Sequence, residues 1–406
     1  GRNIQDEYFD WHPDYNYRDR DLLVAGPVTQ AMEANFDGFW NDNRSMPPTA
    51  LSDVVEVLKA NKGPPPDNTP PASARVRAMA ARARDGAAVM AKLQPYTYSV
   101  GRVEFYGDLP SKHDLHAQSR KDASNAQYEA IAGARKELIL QTPYLVLSRP
   151  ARKLFRELHQ RDKPPIPVLV STNSLAATDA FPAYAMSHKY KRMFLRELGF
   201  EIYEYKPWPG DMPIDFKAIP GAAERAAWHE PDPDPEFRAS GFKQGPVPLK
   251  KAGVRIGLHS KSMVIDGQVA IVGSHNFDPR SSEMNTESLV MVFDPVFGKA
   301  LADSIRRDME PENAWVIAPL PKLTPLHQLN YNLGKLSEKL PVFDIWPFPY
   351  ATSYELKEGC QPRRPVEPGF RDCYTPVGAF PEVNLSLKMI YTRVLTAFGS
   401  GLIPFL

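Results

Sequence analysis

Between Ala123 and Met309 the sequence alternates helix-like and strand-like segments, and this constrains the fold more than any other feature of the chain. A helical stretch, Ala123 to Lys136, precedes the apolar run Leu138 to Leu147. A second, Arg152 to Gln160, precedes "IPVLVST", and a third, Ala183 to Leu198, precedes "FEIYEY". Strands joined by crossover helices predict an α/β unit built on mixed, largely parallel sheets flanked by helices. Two further strand-like runs, "SMVIDGQVAIVG" and "ESLVMVF", follow closely, as neighbouring strands would. At 406 residues the chain can bury a large two-lobed core.

An internal repeat is visible. "DRDLLVAGPVTQAMEANF" and "ESLVMVFDPVFGKALADS" superimpose at a shift of 268 positions, which lays Asp19 on Glu287, Leu22 to Val24 on Val290 to Val292, and Pro27 on Pro295. Upstream, "GRN" at Gly1 to Asn3 matches "SHN" at Ser274 to Asn276, with a loop five residues longer in the first copy. The expectation is two pseudo-symmetric copies of one unit: residues 1–120 as the remainder of the first, 121–310 as a complete second, and 311–406 as a C-terminal extension. The chain begins on Gly1 and not Met, so a missing front edge to the first copy is expected.

Chemistry concentrates in "LHSKSMVIDGQVAIVGSHNFDPRSSEMNTESLV", which reads H-x-K-x4-D-x6-G-S-x-N through His259, Lys261, Asp266, Gly273, Ser274 and Asn276, with Glu287 eleven positions after the Asn. His259 and Lys261, two apart on an extended segment, emerge on one face, while Met263 and Ile265 turn into the core as the strand continues. An imidazole beside an ammonium suits phosphate: the ring serves as nucleophile or general acid and the lysine supplies fixed charge. Ser274 and Asn276 offer donors to non-bridging oxygens, and Glu287 can accept a hydrogen bond from an imidazole nitrogen. Asp266 belongs to the motif, but its "DG" is also a turn signal, which favours a structural role. His113, His116, His159, His188 and His275 lack such company and are expected on the surface or in packing.

This spacing matches the phospholipase D superfamily motif, and the wider chain resembles bacterial cardiolipin synthases of the type C group through "GRNIQDEYFD", "DLLVAGPV", "LILQTPYLVL", "STNSLAATDAF", "YEYKP" and "GSHNFDPRSSEMNTE". The match is weak after about residue 310. The resemblance implies that two such motifs meet across a pseudo-twofold axis, one His forming a phosphohistidine and the other protonating the leaving group, with no metal or organic cofactor. It implies catalytic roles for His259, Lys261, Asp266 and Glu287, with His259 as general acid/base, phosphate binding by Ser274, Asn276 and Asn3, and a supporting role for Asp19. By the spacing of the second copy, the first copy's His and Lys would lie 15 and 13 positions before Gly1, so the chain by itself is expected to be inactive.

The implied reaction transfers a phosphatidyl group between phospholipids such as phosphatidylglycerol or phosphatidylethanolamine, at the surface of a bacterial cell membrane, with the chain peripheral or anchored by a preceding segment. Hydrolysis to phosphatidic acid is the alternative, and a catalytically inactive lipid-binding protein a reading of another class. The 49 basic and 48 acidic residues nearly cancel, which argues against a nuclease, since backbone binding needs a basic surface.

No run of 18 or more apolar residues is present to span a bilayer as a helix. The apolar Val394 to Leu406 is too short to cross and reads as a tail packed on the core or as an interfacial lipid contact. Prolines break the pattern from Lys206 to Gly253, a long loop that leads into the motif strand and is read either as an active-site rim or as a tolerated insertion. "NKGPPPDNTPPASA" is a Pro-rich linker into a basic helix whose Arg75, Arg77, Arg82 and Arg84 spread round a solvated surface. Cys360 and Cys373, the only cysteines, permit one small loop disulfide without demanding it.

Overall fold

The computed structural model describes residues 1–12, 14–60, 74–113, 123–212, 246–320, 350–386 and 389–390. His116, most of the Asn61 to Ala74 linker, residues 213–245 of the proline-broken loop and the tail from Val394 lie outside them.

The fold is mixed α/β. Twelve strands are described: β1 (Tyr15–Arg18), β2 (Val103–Gly107), β3 (Leu138–Gln141), β4 (Val168–Asn173), β5 (Phe200–Tyr205), β6 (Arg255–Leu258), β7 (Ser262–Ile265), β8 (Val269–Gly273), β9 (Ser288–Phe293), β10 (Ala314–Pro319), β11 (Ala351–Leu356) and β12 (Tyr374–Gly378). Ten of them form one sheet in the order β12-β11-β10-β5-β4-β3-β7-β8-β9-β2. Its parallel character is narrower than expected: only β3–β4 and β4–β5 run parallel, and the other ladders are antiparallel. The parallel pairs are those joined by helices, Arg149–Arg161 and Phe181–Arg196, long enough to return the chain to the same edge. β7 and β8 instead join through residues 266–268, too few for a crossover, which forces reversal, and the longer 274–287 connection also returns β9 antiparallel to β8. Within the apolar run Leu138 to Leu147 the strand stops at Gln141, because Pro143 lacks the N–H that a ladder requires.

Alternation along the strands fills both faces. Leu138, Leu140, Met263 and Ile265 point to a cluster with Phe155, Phe194 and Leu198, beneath the two crossover helices. Ile139, Val264, Ala270 and Val272 point oppositely, onto Leu301, Ala302 and Ile305 of the helix Pro295–Asp308. The β7–β8 reversal places Asp266 and Gly267 at φ 55° and 66°, and Gln268 N donates to Ile265 O at 2.9 Å, the geometry that Asp-Gly favours in a hairpin.

The repeat is seen in part. Pro27 leads into the helix Thr29–Trp40 as Pro295 leads into Pro295–Asp308. Leu22 and Val24 pack against the second core cluster but, among the described residues, lie in no strand ladder, unlike their counterparts in β9. The first copy is bound to the motif another way: β1 pairs in parallel with β6, Tyr15 opposite Arg255 and Arg18 opposite Leu258. Gly257 permits this, since a Cβ there would lie 1.8 Å from the Tyr15 hydroxyl, which donates to Ala177 O at 2.6 Å.

The segment following residue 310 continues the main sheet, with β10 antiparallel to β5 and β11 antiparallel to β10. Cys360 and Cys373 are joined in a disulfide across the β11–β12 connection.

Candidate active site

His259 and Lys261 occupy a joint between two sheets. β6 ends at Leu258 in the sheet shared with β1, and β7 begins at Ser262 in the large one. The break at 259–261 resets the alternation, so His259 and Lys261 face the site although Met263 and Ile265, at the same parity, face the core.

The carboxylate on His259 is Asp19, and not the motif's Glu287. His259 Nδ1 lies 2.7 Å from Asp19 Oδ2, and the Asp19 side chain is fully buried. Donation from Nδ1–H leaves Nε2 as the ring's lone-pair nitrogen. Lys261 Nζ is 2.9 Å from both ring nitrogens and 2.5 Å from His259 O. The Tyr8 hydroxyl approaches Nε2 at 3.3 Å and accepts from Asn3 Nδ2 at 3.0 Å, so Asn3 reaches the site through Tyr8.

Burial sets the charge states. Desolvation, seconded by the Lys261 charge, holds the His259 imidazole below its ordinary pKa against the opposing pull of Asp19. Lys261 is brought down to about 8 by its own desolvation, with Asp19 and Glu287 pulling the other way. Burial would raise Asp19, but the hydrogen bond from His259, the nearby cations and the Arg20 N–H outweigh it and leave a depressed carboxyl. In the free site at neutral pH this is a neutral imidazole between a carboxylate and an ammonium.

Glu287 lies in the field of Lys261 but is held by other partners: the Ser274 hydroxyl donates to it, Asn285 Nδ2 donates at 3.2 Å, and its backbone N–H bonds Asp108 at 2.8 Å. Desolvation raises its pKa. Asn276 is fixed through its backbone, accepting from Thr142 Oγ1 at 3.0 Å and donating to Ser281 Oγ at 3.1 Å, while its side-chain Oδ1 is buried with no hydrogen-bond partner among the described residues. Buried Phe277 beside it sits at φ 66°, a left-handed backbone that costs a bulky residue about 1–2 kcal/mol and turns the chain between Asn276 and Asp278.

Asp266 is not at the site. It follows β7 at the opposite end from Lys261, and its carboxylate accepts backbone N–H groups from Arg135 (2.9 Å), Lys136 (2.6 Å) and Glu137 (3.0 Å). It caps the turn into β3, a structural task. His275 packs against Ser124 and Phe277, and burial drives His188 down to about 3 beside Phe380 and Tyr184. His159 is half-buried at the end of its helix.

A cleft of about 810 Å³ adjoins the site, lined among others by Tyr17, Tyr144, Asp179, Asn276, Asp278 and Arg280; Pro246, from the proline-broken loop, also lines it. Tyr17 forms the wall towards His259, its ring centroid 5.1 Å from the imidazole. Asp179 accepts from the Tyr17 hydroxyl at 2.7 Å and from Tyr144 at 3.0 Å. Sequence reasoning passed over Asp179, Tyr8 and Tyr17, although "ATDAF" and "EYFD" lie within segments that carry the family likeness. Among the described residues, no group of three or more His, Cys, Asp or Glu is arranged to hold a metal ion, and no helix is long and apolar enough to cross a membrane.

The family model for the cardiolipin synthase, phospholipase D-like domain matches residues 238–310, the span that holds the whole motif. Over that span the chain carries a phospholipase D-like domain, and its likeness is to the phospholipase D superfamily, near cardiolipin synthase. It is 26% identical over 317 residues to an uncharacterized protein of Helicobacter pylori strain J99, covering 75% of this chain and 53% of that one. It is 25% identical over 293 residues to cardiolipin synthase C of Escherichia coli K12, covering 71% and 54%. The chain thus spans about half the length of these curated relatives. A solved phospholipase D family member, Nuc of Salmonella typhimurium, is 14% identical with a TM-score of 0.31, covering 52% of this chain and 95% of that one; so slight a likeness carries no weight here.

Proposed function

We propose that this chain supplies one half of a phosphatidyl-transferring centre that acts on phospholipids through a phosphohistidine intermediate. The single observation that carries the reading is the buried His259–Asp19–Lys261 group, in which Asp19 holds Nδ1, the lone pair of Nε2 faces only the exchangeable donors Lys261 and Tyr8, and Lys261 supplies a cation for a phosphodiester oxygen.

In this reading the nucleophilic His belongs to a second H-x-K half. Its lone pair forms the P–N bond as the P–O bond to the leaving group breaks, and His259 gives its proton to the departing oxygen. His259 then takes the proton of the incoming alcohol, whose oxygen attacks phosphorus and releases the first His. Acid action requires a protonated ring, and the anionic substrate supplies the field that lifts the imidazole from its depressed free-site state. Glu287, unattached to His259, is assigned to the second half's His by the same logic that puts Asp19 on His259. Asn276 is assigned as a phosphate donor through its side-chain amide, Ser274 joins it once its hydroxyl turns from Glu287 to the substrate, and Asn3 acts through Tyr8. Asp266 has no chemical part.

Lipid is preferred to nucleic acid because the adjoining cleft carries Glu7, Asp14, Asp179 and Asp278 against one arginine, Arg280, and a carboxylate wall repels a polyanion while accepting a hydroxylated or ammonium-bearing headgroup. Cardiolipin synthase C being among the relatives supports transfer to an alcohol. Placement at a bacterial membrane surface is part of the proposal. The test is to give the full-length protein phosphatidylglycerol with and without phosphatidylethanolamine and identify the products: cardiolipin supports transfer, whereas phosphatidic acid alone would make the protein a hydrolase.

A further inference from the structure

Residues 18 to 20 present a charged side chain at every position, and the extended backbone sends them in two directions. Asp19 turns to His259. Arg18 and Arg20 turn away, and both end on Asp308: Arg18 Nε lies 2.8 Å from Oδ1 and Arg20 Nη2 3.5 Å from Oδ2. Arg18 also forms a two-pronged pair with Asp211 at 3.0 and 3.1 Å. The Arg20 guanidinium is threaded past the central strands, donating to Gln141 of β3, to Ser262 of β7 at 3.2 Å and to Ser304 at 2.8 Å. Gln141 closes the ring by donating to Asp308 at 2.7 Å.

Asp308 is an expensive residue where it stands. It is fully buried, and it ends the helix Pro295–Asp308, where the peptide dipoles already present negative charge. Neither the sheet nor the helix needs a carboxylate there. What the arrangement provides is a rigid mount: two cations on either side of Asp19 are fixed to the sheet and the helix. The backbone between them is also tied to the motif, since Arg18 O accepts from His259 N at 2.9 Å.

We infer that Asp308 is a positioning residue of the centre, which holds Arg18 and Arg20 so that Asp19, between them, meets Nδ1 of His259. The inference rests on the reading of Asp19 and His259 as a working pair, but its test does not depend on turnover. Besides Asp19, the groups that face His259 are Lys261, Tyr8, Tyr17 and, at longer range, Asp179.

The experiment is histidine-selective ¹⁵N NMR on the 406-residue chain, with the His259 signals assigned by their loss in His259→Gln. In Asp308→Asn the His259 Nδ1–H signal should lose its hydrogen-bonded position. Its pKa should fall further by about half a unit or more as the carboxylate withdraws. Asp19→Asn should give the same change, and the double variant no further one. Ser304→Ala, which removes one Arg20 partner and leaves every charge in place, should give a smaller shift in the same direction and serves if Asp308→Asn does not fold. A purely structural staple would lower stability and leave the imidazole unmoved. Unchanged His259 signals in a folded Asp308→Asn, or in Ser304→Ala if that alone folds, would overturn the inference. A shifted imidazole in a protein whose full-length form transfers no phosphatidyl group would uphold the positioning and remove the functional reading instead.

Discussion

Asp19 and His259 stand 240 residues apart in sequence and 2.7 Å apart in space, the carboxylate of one motif copy on the imidazole of the other. Asp19→Asn keeps the shape and removes the charge. In the full-length protein kcat should fall by on the order of ten-thousandfold, as when a triad carboxylate is made an amide, with little change in KM. Steady-state kinetics on a lipid substrate check this.

The pH dependence follows from burial. Lys261 titrates near 8 in the free site, so its positive charge is present below that pH and lost above it. Between about 8 and its ordinary value near 10.4 the unfolded chain holds the proton that the folded one has released, so this group's contribution to stability rises with pH through that window. Activity moves oppositely: kcat/KM should fall above about pH 8. The limb of kcat that reports His259 as an acid should lie at higher pH than its limb in kcat/KM, because bound phosphodiester favours the imidazolium. Profiles of both constants from pH 5 to 9 test the two statements.

The motif histidine and lysine were legible from the full spaced pattern and the family resemblance it carries, and the helix-joined strands β3, β4 and β5 from the alternation of helix-like and strand-like segments. The partner of His259 was not, because a repeat aligns Asp19 with Glu287 and says nothing of which histidine each will meet once the copies face each other. Sheet direction was hidden for a related reason: "SMVIDGQVAIVG" shows two apolar strands, but the Asp-Gly reversal that makes them antiparallel also turns the ladders either side. The strands from Ala314 onward lay in a region with little family likeness, and the alternation in "AWVIAP" is too short to announce a sheet edge. The Arg18–Asp308 mount could have been suspected from "YRDRD", where two cations flank Asp19, but its other end is 290 positions away.

Asp266 separates motif membership from chemistry. Asp266→Ala leaves the N–H groups of Arg135, Lys136 and Glu137 without their acceptor and should cost about 1–3 kcal/mol of stability. Turnover per folded molecule should stay unchanged. Denaturant unfolding beside an activity assay at low temperature reads both numbers.

The Cys360–Cys373 bridge closes a short loop at the outer edge of the sheet, far in sequence from the motif. Cys360→Ser should lower stability by about 2–3 kcal/mol, the loop-closure value for a link of this length, without altering kcat. Urea unfolding with and without a reductant measures it, and the variant should show no response to the reductant.

The central claim is that His259 performs the chemistry, and its removal is the most direct test. Full-length protein and its His259→Ala variant, both shown folded by circular dichroism, are incubated with phosphatidylglycerol and phosphatidylethanolamine vesicles and the lipids are separated. Cardiolipin should form with the native protein and be absent with the variant. A folded His259→Ala protein that still turns over its lipid would contradict the account.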